Sequence, residues 1–140
     1  DFLLPIGKVH VEKEGFDVTI IAFSIMVGKA IEAADALKDL GIKAEVINLR
    51  TLRPLDTSTI INSVKKTNRV VTCEEGFPFA GIGAEISAII NEQAFDWLDA
   101  PIKRVTGKDV PMPYAANLEK LALPQVDDII NACKDVCYKD

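Results

Sequence analysis

The chain has 140 residues, 49% of them hydrophobic, which is typical of one domain with a single hydrophobic core. We therefore expect one domain over residues 1–140. Sixteen basic and 21 acidic side chains give a net charge of -5, which repels phosphate groups, so neither nucleic acid nor a membrane is an expected partner.

The cysteines and the first residues of the chain indicate in which kind of cellular compartment it folds. Three cysteines cannot all pair within one chain, and Cys133 and Cys137 lie in a periodic helical segment, which favours a reducing compartment. No apolar run approaches the roughly 18 to 20 residues that span a bilayer. Residues 1–5 do not read as a signal peptide, and the absence of an initiating Met predicts a processed chain or a fragment.

The first half of the sequence predicts an edge strand followed by two strand–helix units. Residues 8–13 precede a Glu14-Gly15 turn signal, and their charges suit an antiparallel edge strand. The β-branched apolar run 17–24 is typical of a buried strand, and a strand at 44–49 leads to a helix capped by Asp56. Between the two strands, apolar residues recur every three or four positions and predict a helix that ends at Gly41: Val27, Ala30, Ile31, Ala34 and Leu37.

The second half continues the same alternation of strand and helix. We predict a strand at 69–74, a helix at 82–95 and a strand at 102–106, followed by a proline-rich loop and a last helix with these residues inward: Val126, Ile129, Ile130, Cys133, Val136 and Cys137. Parallel strands need crossover helices. The predicted fold is therefore α/β, a three-layer sandwich around a mostly parallel five-stranded sheet with one antiparallel edge strand.

The glycine-rich loop 76–83 lies between a strand and a helix, where helix amides could cradle a phosphate. Three features oppose that interpretation: the dinucleotide pattern wants its third glycine at Ile86, and carboxylates stand nearby at Glu85 and at Glu74-Glu75. We therefore interpret the loop as a structural turn or subunit contact. Gly81 and Gly83 are expected to permit the close approach of another backbone.

The remaining polar candidates favour structural roles. Glu74 and Glu75 should point to opposite faces of a strand end, as solvated or interface carboxylates. His10, the only histidine, has no orienting acid or nucleophile beside it in sequence, so a surface or packing role is favoured. Cys133 and Cys137 share a helix face but lack further zinc ligands, which predicts core thiols.

The aromatic side chains of the loop 76–83 allow two interpretations. Phe77 and Phe79 are flanked by glycine and proline in a chain with only 6% aromatic residues. Core packing and a subunit interface are equally favoured, because such a loop cannot easily bury itself.

Four strings occur together in an order typical of one family: Val46-Ile47-Asn48-Leu49-Arg50-Thr51-Leu52-Arg53-Pro54-Leu55-Asp56; Glu74-Glu75-Gly76 with Gly81-Ile82-Gly83-Ala84-Glu85-Ile86; Leu98-Asp99-Ala100-Pro101; and Arg104-Val105-Thr106-Gly107 with Asp109-Val110-Pro111-Met112-Pro113-Tyr114. Over essentially its whole length, the sequence resembles the transketolase carboxyl-terminal domain in the version found in pyruvate dehydrogenase beta subunits. The last string favours this version over the branched-chain 2-oxo acid dehydrogenase beta subunit, which is the nearest alternative. On residue patterns alone, a flavodoxin-like binding module also stays open.

The resemblance implies a role in assembly rather than in chemistry. The family's parent enzyme decarboxylates pyruvate oxidatively and transfers acetyl to a lipoyl carrier, using thiamine diphosphate and Mg held between an alpha subunit and another domain of the beta subunit. The family's diphosphate signature is absent here, so we assign no catalytic, cofactor-binding or metal residue and expect this domain to bind no cofactor. The implied location is the mitochondrial matrix.

The resemblance also implies partners and docking residues. The partners are the alpha subunit and a second beta subunit, in a heterotetramer of two alpha and two beta subunits, and the subunit-binding domain of dihydrolipoyl acetyltransferase. Asp99 matches the acid that helps dock this basic domain in the family, and Asp140 adds negative charge. We expect the subunit interface to include Phe77, Phe79, Gly81 and Gly83. From the sequence, Asp99 is also expected near Asp127 and Asp128, so that several acids form one surface.

Overall fold

A five-stranded sheet organises the computed structural model, which describes residues 4–108 and 121–140. The strands are β1 (His10–Lys13), β2 (Val18–Ala22), β3 (Ala44–Asn48), β4 (Val70–Cys73) and β5 (Lys103–Val105). Their order across the sheet is β1-β3-β2-β4-β5. β1 is antiparallel to β3, and every other pairing is parallel. The predicted mostly parallel sheet with one antiparallel edge strand is confirmed.

Helices cover both faces of the sheet. They are α1 (Met26–Asp39), α2 (Thr57–Thr67), α3 (Ile82–Ala94) and α4 (Val126–Val136), and a 3-10 turn, Phe95–Trp97, extends α3. Side chains from α1 and α4 share one core with Ile20, whereas α2 and α3 share a second core with Ile21. Because adjacent strand residues point to opposite faces, these neighbours mark the two interlayer cores of a three-layer sandwich.

The predicted elements agree with the structure to within a few residues at their ends. β2 ends at Ala22 rather than at residue 24, and Ser24 has left-handed backbone angles with φ 57°, which no strand accommodates. Asp56 caps α2 as predicted, and its carboxylate accepts a hydrogen bond from the Thr59 amide at 3.3 Å. The predicted string at 109–114 lies outside the described residues.

The parallel strands give the sheet two distinct edges. The segments that follow β2, β3 and β4 meet at what we call the carboxyl edge. The segments that precede β4 and β5, including Arg69 and Asp99, meet at the opposite, amino edge. In the described ranges, no helix is long and apolar enough to cross a membrane.

Candidate docking surfaces

Glu74 is buried beneath the glycine-rich loop at the carboxyl edge. Only 3% exposed, its carboxylate oxygens lie 3.3 and 3.4 Å from the backbone nitrogen of Gly83, in the first turn of α3. Arg104, on β5, places Nη2 3.4 Å from Glu74 Oε1. Of the two environments predicted for Glu74, solvent and an interface, solvent is therefore wrong, since the side chain is buried and an amide and a guanidinium compensate that burial. Glu75, the next residue, is exposed.

This carboxylate lies where a helix amide would otherwise meet a bound anion. A Cβ on Gly81 would lie 2.5 Å from Glu74 Oε1, and a Cβ on Gly83 would lie 2.9 Å from the same atom. Both glycines therefore make room for the Glu74 side chain. A Cβ on Gly81 would also lie 2.8 Å from the Phe77 backbone carbonyl oxygen, so the predicted close approach of a backbone is present at Gly81 within the same chain. The protein's own carboxylate interacts with the amino end of α3, and a phosphate is not needed there.

The aromatic residues of the same loop are exposed. Phe77 is 48% exposed and Phe79 is 85% exposed, so the core-packing alternative is not observed. Between them, the Pro78 carbonyl accepts a hydrogen bond from Arg104 Nη2 at 2.5 Å. The ion pair below the loop thus fixes the loop backbone while both rings face outward.

Other exposed apolar residues and unusual backbone angles share this edge. Ile25 follows β2 and is 60% exposed, and Leu52 follows β3 and is 37% exposed. Left-handed φ angles occur at Ser24, Arg50 and Ala80, which are not glycines. Backbone strain of this kind persists only where the surroundings impose it, and it is concentrated at functional sites.

Asp99 lies at the amino edge with its carboxylate facing solvent. Its side chain is 56% exposed, and Oδ2 lies 3.9 Å from Arg69 Nη2. Its backbone amide donates to the Asn68 carbonyl at 2.8 Å. The Tyr138 hydroxyl donates to the Asp99 backbone carbonyl at 3.2 Å. The chain's last residues therefore reach Asp99, and the structure brings an acid together with the end of α4.

The expected grouping of Asp99 with Asp127 and Asp128 is wrong. Those two acids occupy the first turn of α4, whereas Tyr138 follows its last turn. An 11-residue helix is roughly 16 Å long, so they lie at the far end of α4 from Asp99. A groove beside Asp99 is lined instead by the polar residues Ser87, Asn91 and Asp96 and by a larger set of apolar residues that includes Phe95, Leu98, Pro101 and Ile102.

The remaining candidates from the sequence, the histidine and the cysteines, lie in environments that suit structural roles. His10 lies on β1 with Nε2 3.8 Å from Glu12 Oε2. Cys73 and Cys133 are buried, which raises the pKa of both thiols. Burial also raises the pKa of Cys137, a partly buried thiol at the end of α4. Within residues 4–108 and 121–140, no group of three or more His, Cys, Asp or Glu side chains is placed to hold a metal ion.

A comparison with family models decides the family. The model described as "Transketolase, C-terminal domain" matches residues 7–129. The chain belongs to this family. The predicted resemblance is therefore confirmed at the level of the transketolase carboxyl-terminal domain.

Full-length relatives of this transketolase carboxyl-terminal domain carry one recurrent name. The chain is 62% identical to "Pyruvate dehydrogenase E1 component subunit beta-2, mitochondrial" of Oryza sativa subsp. japonica, over 99% of this chain and 37% of that protein. It is 61% identical to the corresponding subunit beta-1 of Arabidopsis thaliana, over 99% of this chain and 38% of that protein. Against the Rhizobium meliloti subunit beta, identity is 56% over 99% of this chain and 30% of that protein. The chain thus spans well under half of each relative.

A similar solved structure agrees with the fold. "Split gene transketolase, inactive beta4 tetramer" superposes with a TM-score of 0.85 at 31% identity, over 99% of this chain and 44% of that chain. The chain and this structure therefore share the same fold, and both the superposition and the sequence identity support that likeness.

The residues that hold the carboxyl-edge loop and the Asp99 segment in place were not identified from the sequence. Arg104 contacts Glu74 from 30 positions away, and the Asn68 side chain contacts Trp97 from 29 positions away. Asn68 carried one local signal, because Asn after a helix commonly adopts the left-handed cap conformation, and here φ is 64°.

Proposed function

We propose that this chain is the carboxyl-terminal assembly and docking domain of a pyruvate dehydrogenase E1 beta subunit. One observation carries the proposal: identity of 62% to a subunit of that name extends over 99% of the chain. Relatives from Arabidopsis, Dictyostelium and Rhizobium bear the same subunit name, which favours this reading over a branched-chain enzyme or a flavodoxin-like module.

The parent enzyme in this proposal decarboxylates pyruvate oxidatively and transfers acetyl to a lipoyl carrier. Thiamine diphosphate and Mg would supply the electron sink in that enzyme. The amino end of α3 does not fit a diphosphate, because the Glu74 carboxylate already interacts with the Gly83 amide there. We therefore assign the chemistry to other parts of the parent. The plant and Dictyostelium names support a mitochondrial location, and within the mitochondrion we propose the matrix.

The carboxyl edge is proposed as the surface for subunit assembly with a second beta subunit and the alpha subunit. Exposed aromatic residues on a fixed loop lose little conformational entropy on binding, and Phe77 and Phe79 have this arrangement. Gly81 and Gly83 contribute indirectly, since both leave space for the Glu74 carboxylate that holds the loop.

The amino edge is proposed as the docking surface for the subunit-binding domain of dihydrolipoyl acetyltransferase. An exposed carboxylate at Asp99 beside an apolar groove suits a basic partner, and exposed Asp140 adds negative charge close to Tyr138. Because the two edges lie at opposite ends of the strands, assembly and docking can occur together.

The docking proposal is tested by the dissociation constant for the subunit-binding domain. Assembled heterotetramers would carry wild type, Asp99→Asn, or a chain shortened before Tyr138, each at two salt concentrations. Losing one charge at a solvated interface should weaken binding about three- to tenfold at low salt and reduce the salt dependence. Glu32→Gln, at an exposed site on α1, is the matched control. Unchanged affinity and salt dependence in both variants would remove Asp99 and the chain's end from docking.

The assembly surface has its own test. Phe79→Ser should leave the domain's stability nearly unchanged, since the ring is 85% exposed, but it should shift the heterotetramer towards free subunits in analytical ultracentrifugation. Leu40→Ser, at an apolar residue that is 52% exposed near the end of α1, controls for lost surface hydrophobicity. Equal assembly of the two variants would argue against the carboxyl edge.

A further inference from the structure

Asn68 joins the end of α2 to the segment that carries Asp99. Its own amide donates to the Val64 carbonyl at 2.7 Å, closing the helix. Its carbonyl accepts from the Asp99 amide at 2.8 Å, and its side-chain Nδ2 donates to the Trp97 carbonyl at 2.7 Å. One residue thus holds the backbone on both sides of Leu98, in a left-handed conformation with φ 64° that asparagine tolerates.

The next residue, Arg69, orients the Asp99 carboxylate without hydrogen bonding to it. Its Nε donates to the Val136 carbonyl at 2.9 Å, which fixes the guanidinium at the end of α4. Its Nη2 remains 3.9 Å from Asp99 Oδ2, beyond hydrogen-bond distance. Within the described part of the chain, the Asp99 carboxylate oxygens accept no hydrogen bond, so they are available to an incoming cation.

We propose that Asn68 is the positioning residue for the docking carboxylate, with Arg69 as its electrostatic guide. This inference rests on the proposed docking role of Asp99. Exposed ion pairs usually contribute little, because two side chains must be ordered to form them. A carboxylate whose backbone is already held loses less freedom on binding, and more of the attraction appears as affinity.

Asn68→Gly isolates the side-chain contact. Glycine is favoured in the left-handed position after a helix, so the helix end and the carbonyl that binds the Asp99 amide are kept. Only the hydrogen bond to the Trp97 carbonyl is lost. Asn68→Asp serves as a second variant, since it tolerates the same backbone angles but its carboxylate cannot donate. It is compared with wild type at high salt, because its added negative charge would itself attract a basic partner.

The experiment is a double-mutant cycle in the assembled heterotetramer. Titration calorimetry would measure binding of the acetyltransferase subunit-binding domain to wild type, N68G, D99N and the double variant. N68G should weaken binding about three- to tenfold, the equivalent of one modest hydrogen bond, and have no effect in the D99N background. The salt dependence of N68G should equal that of wild type because no charge changes, and N68D should bind more weakly than wild type at high salt, where its added charge is screened.

The outcomes separate this inference from the docking proposal. If D99N weakens binding but N68G and N68D bind like wild type, Asn68 is not a positioning residue and docking at Asp99 still stands. If N68G weakens binding equally with and without Asp99, it acts through another route and the inference is wrong. If D99N binds like wild type, the docking proposal fails, and this inference fails with it.

Discussion

Replacing Asp56 by alanine should remove four hydrogen bonds at the start of α2. The carboxylate accepts from the amides of Val9 at 3.1 Å and Thr59 at 3.3 Å. It also accepts from the hydroxyls of Ser58 at 3.2 Å and Thr59 at 2.7 Å. Asp56 therefore caps a helix and also ties the chain before β1 to that helix.

The cost follows from burial and from the groups left behind. Loss of a helix cap alone costs about 1 kcal/mol, and a buried amide without a partner costs roughly 1 to 3 kcal/mol more. Asp56 is 7% exposed, so solvent replaces these partners poorly. We expect Asp56→Ala to lower the free energy of unfolding by about 2 to 4 kcal/mol, measured by urea denaturation of the 140-residue chain at pH 7.

The same carboxylate predicts a pH dependence. Burial alone raises the pKa of Asp56, but hydrogen bonds from Thr59, Val9 and Ser58 outweigh it and lower the pKa below the usual value. Because the folded-state pKa is lowered, its contribution to stability is complete above the unfolded pKa of about 3.9 and is lost as pH falls through the folded value. The gap between wild type and Asp56→Ala should therefore narrow below about pH 4. A gap under about 0.5 kcal/mol at pH 7, within the range of ordinary surface substitutions, or one that persists unchanged at pH 2, would refute this reasoning.

Two further predictions concern glycines and thiols. Gly83→Ala would place a Cβ 2.9 Å from Glu74 Oε1 and from Thr72 Oγ1, so it should lower stability by about 1 to 3 kcal/mol in urea denaturation. Gly28→Ala, with nothing within 4 Å inside α1, should raise stability by roughly 0.5 to 1 kcal/mol. A stabilised Gly83→Ala or a destabilised Gly28→Ala would contradict the corresponding assignment. Mass spectrometry of the native chain treated with iodoacetamide should find Cys137 labelled first. Its thiol is only partly buried, whereas Cys73 and Cys133 are buried, and burial raises the pKa of those two thiols further. Earlier labelling of Cys73 would contradict that order.

The fold was predictable because each local signal agreed with one topology. β-branched runs separated by amphipathic helices require crossovers, and crossovers make a parallel sheet. The charged segment around His10 identified the antiparallel edge, and Asp56 identified the start of α2. These inferences need only periodicity and capping, which operate within a few residues along the chain.

The sites were less predictable because they depend on contacts between distant residues. Glu74 was expected in solvent or at an interface, because acids are usually exposed, and only the return of β5 brings Arg104 beneath the loop. Asp127 and Asp128 were expected beside Asp99, but which end of α4 meets the amino edge follows from packing rather than from spacing. The burial of Glu74 and the long-range contact of Asn68 have no local sequence signature.

We propose that this domain serves assembly and docking while the chemistry lies elsewhere in the parent. The most direct test uses the heterotetramer with Asp99→Asn in two assays. Decarboxylation of pyruvate with an artificial electron acceptor should match wild type, whereas acetyl transfer to the lipoyl carrier within the complex should fall about three- to tenfold at limiting heterotetramer. Loss of decarboxylation itself, or unchanged activity in both assays, would contradict this division of roles.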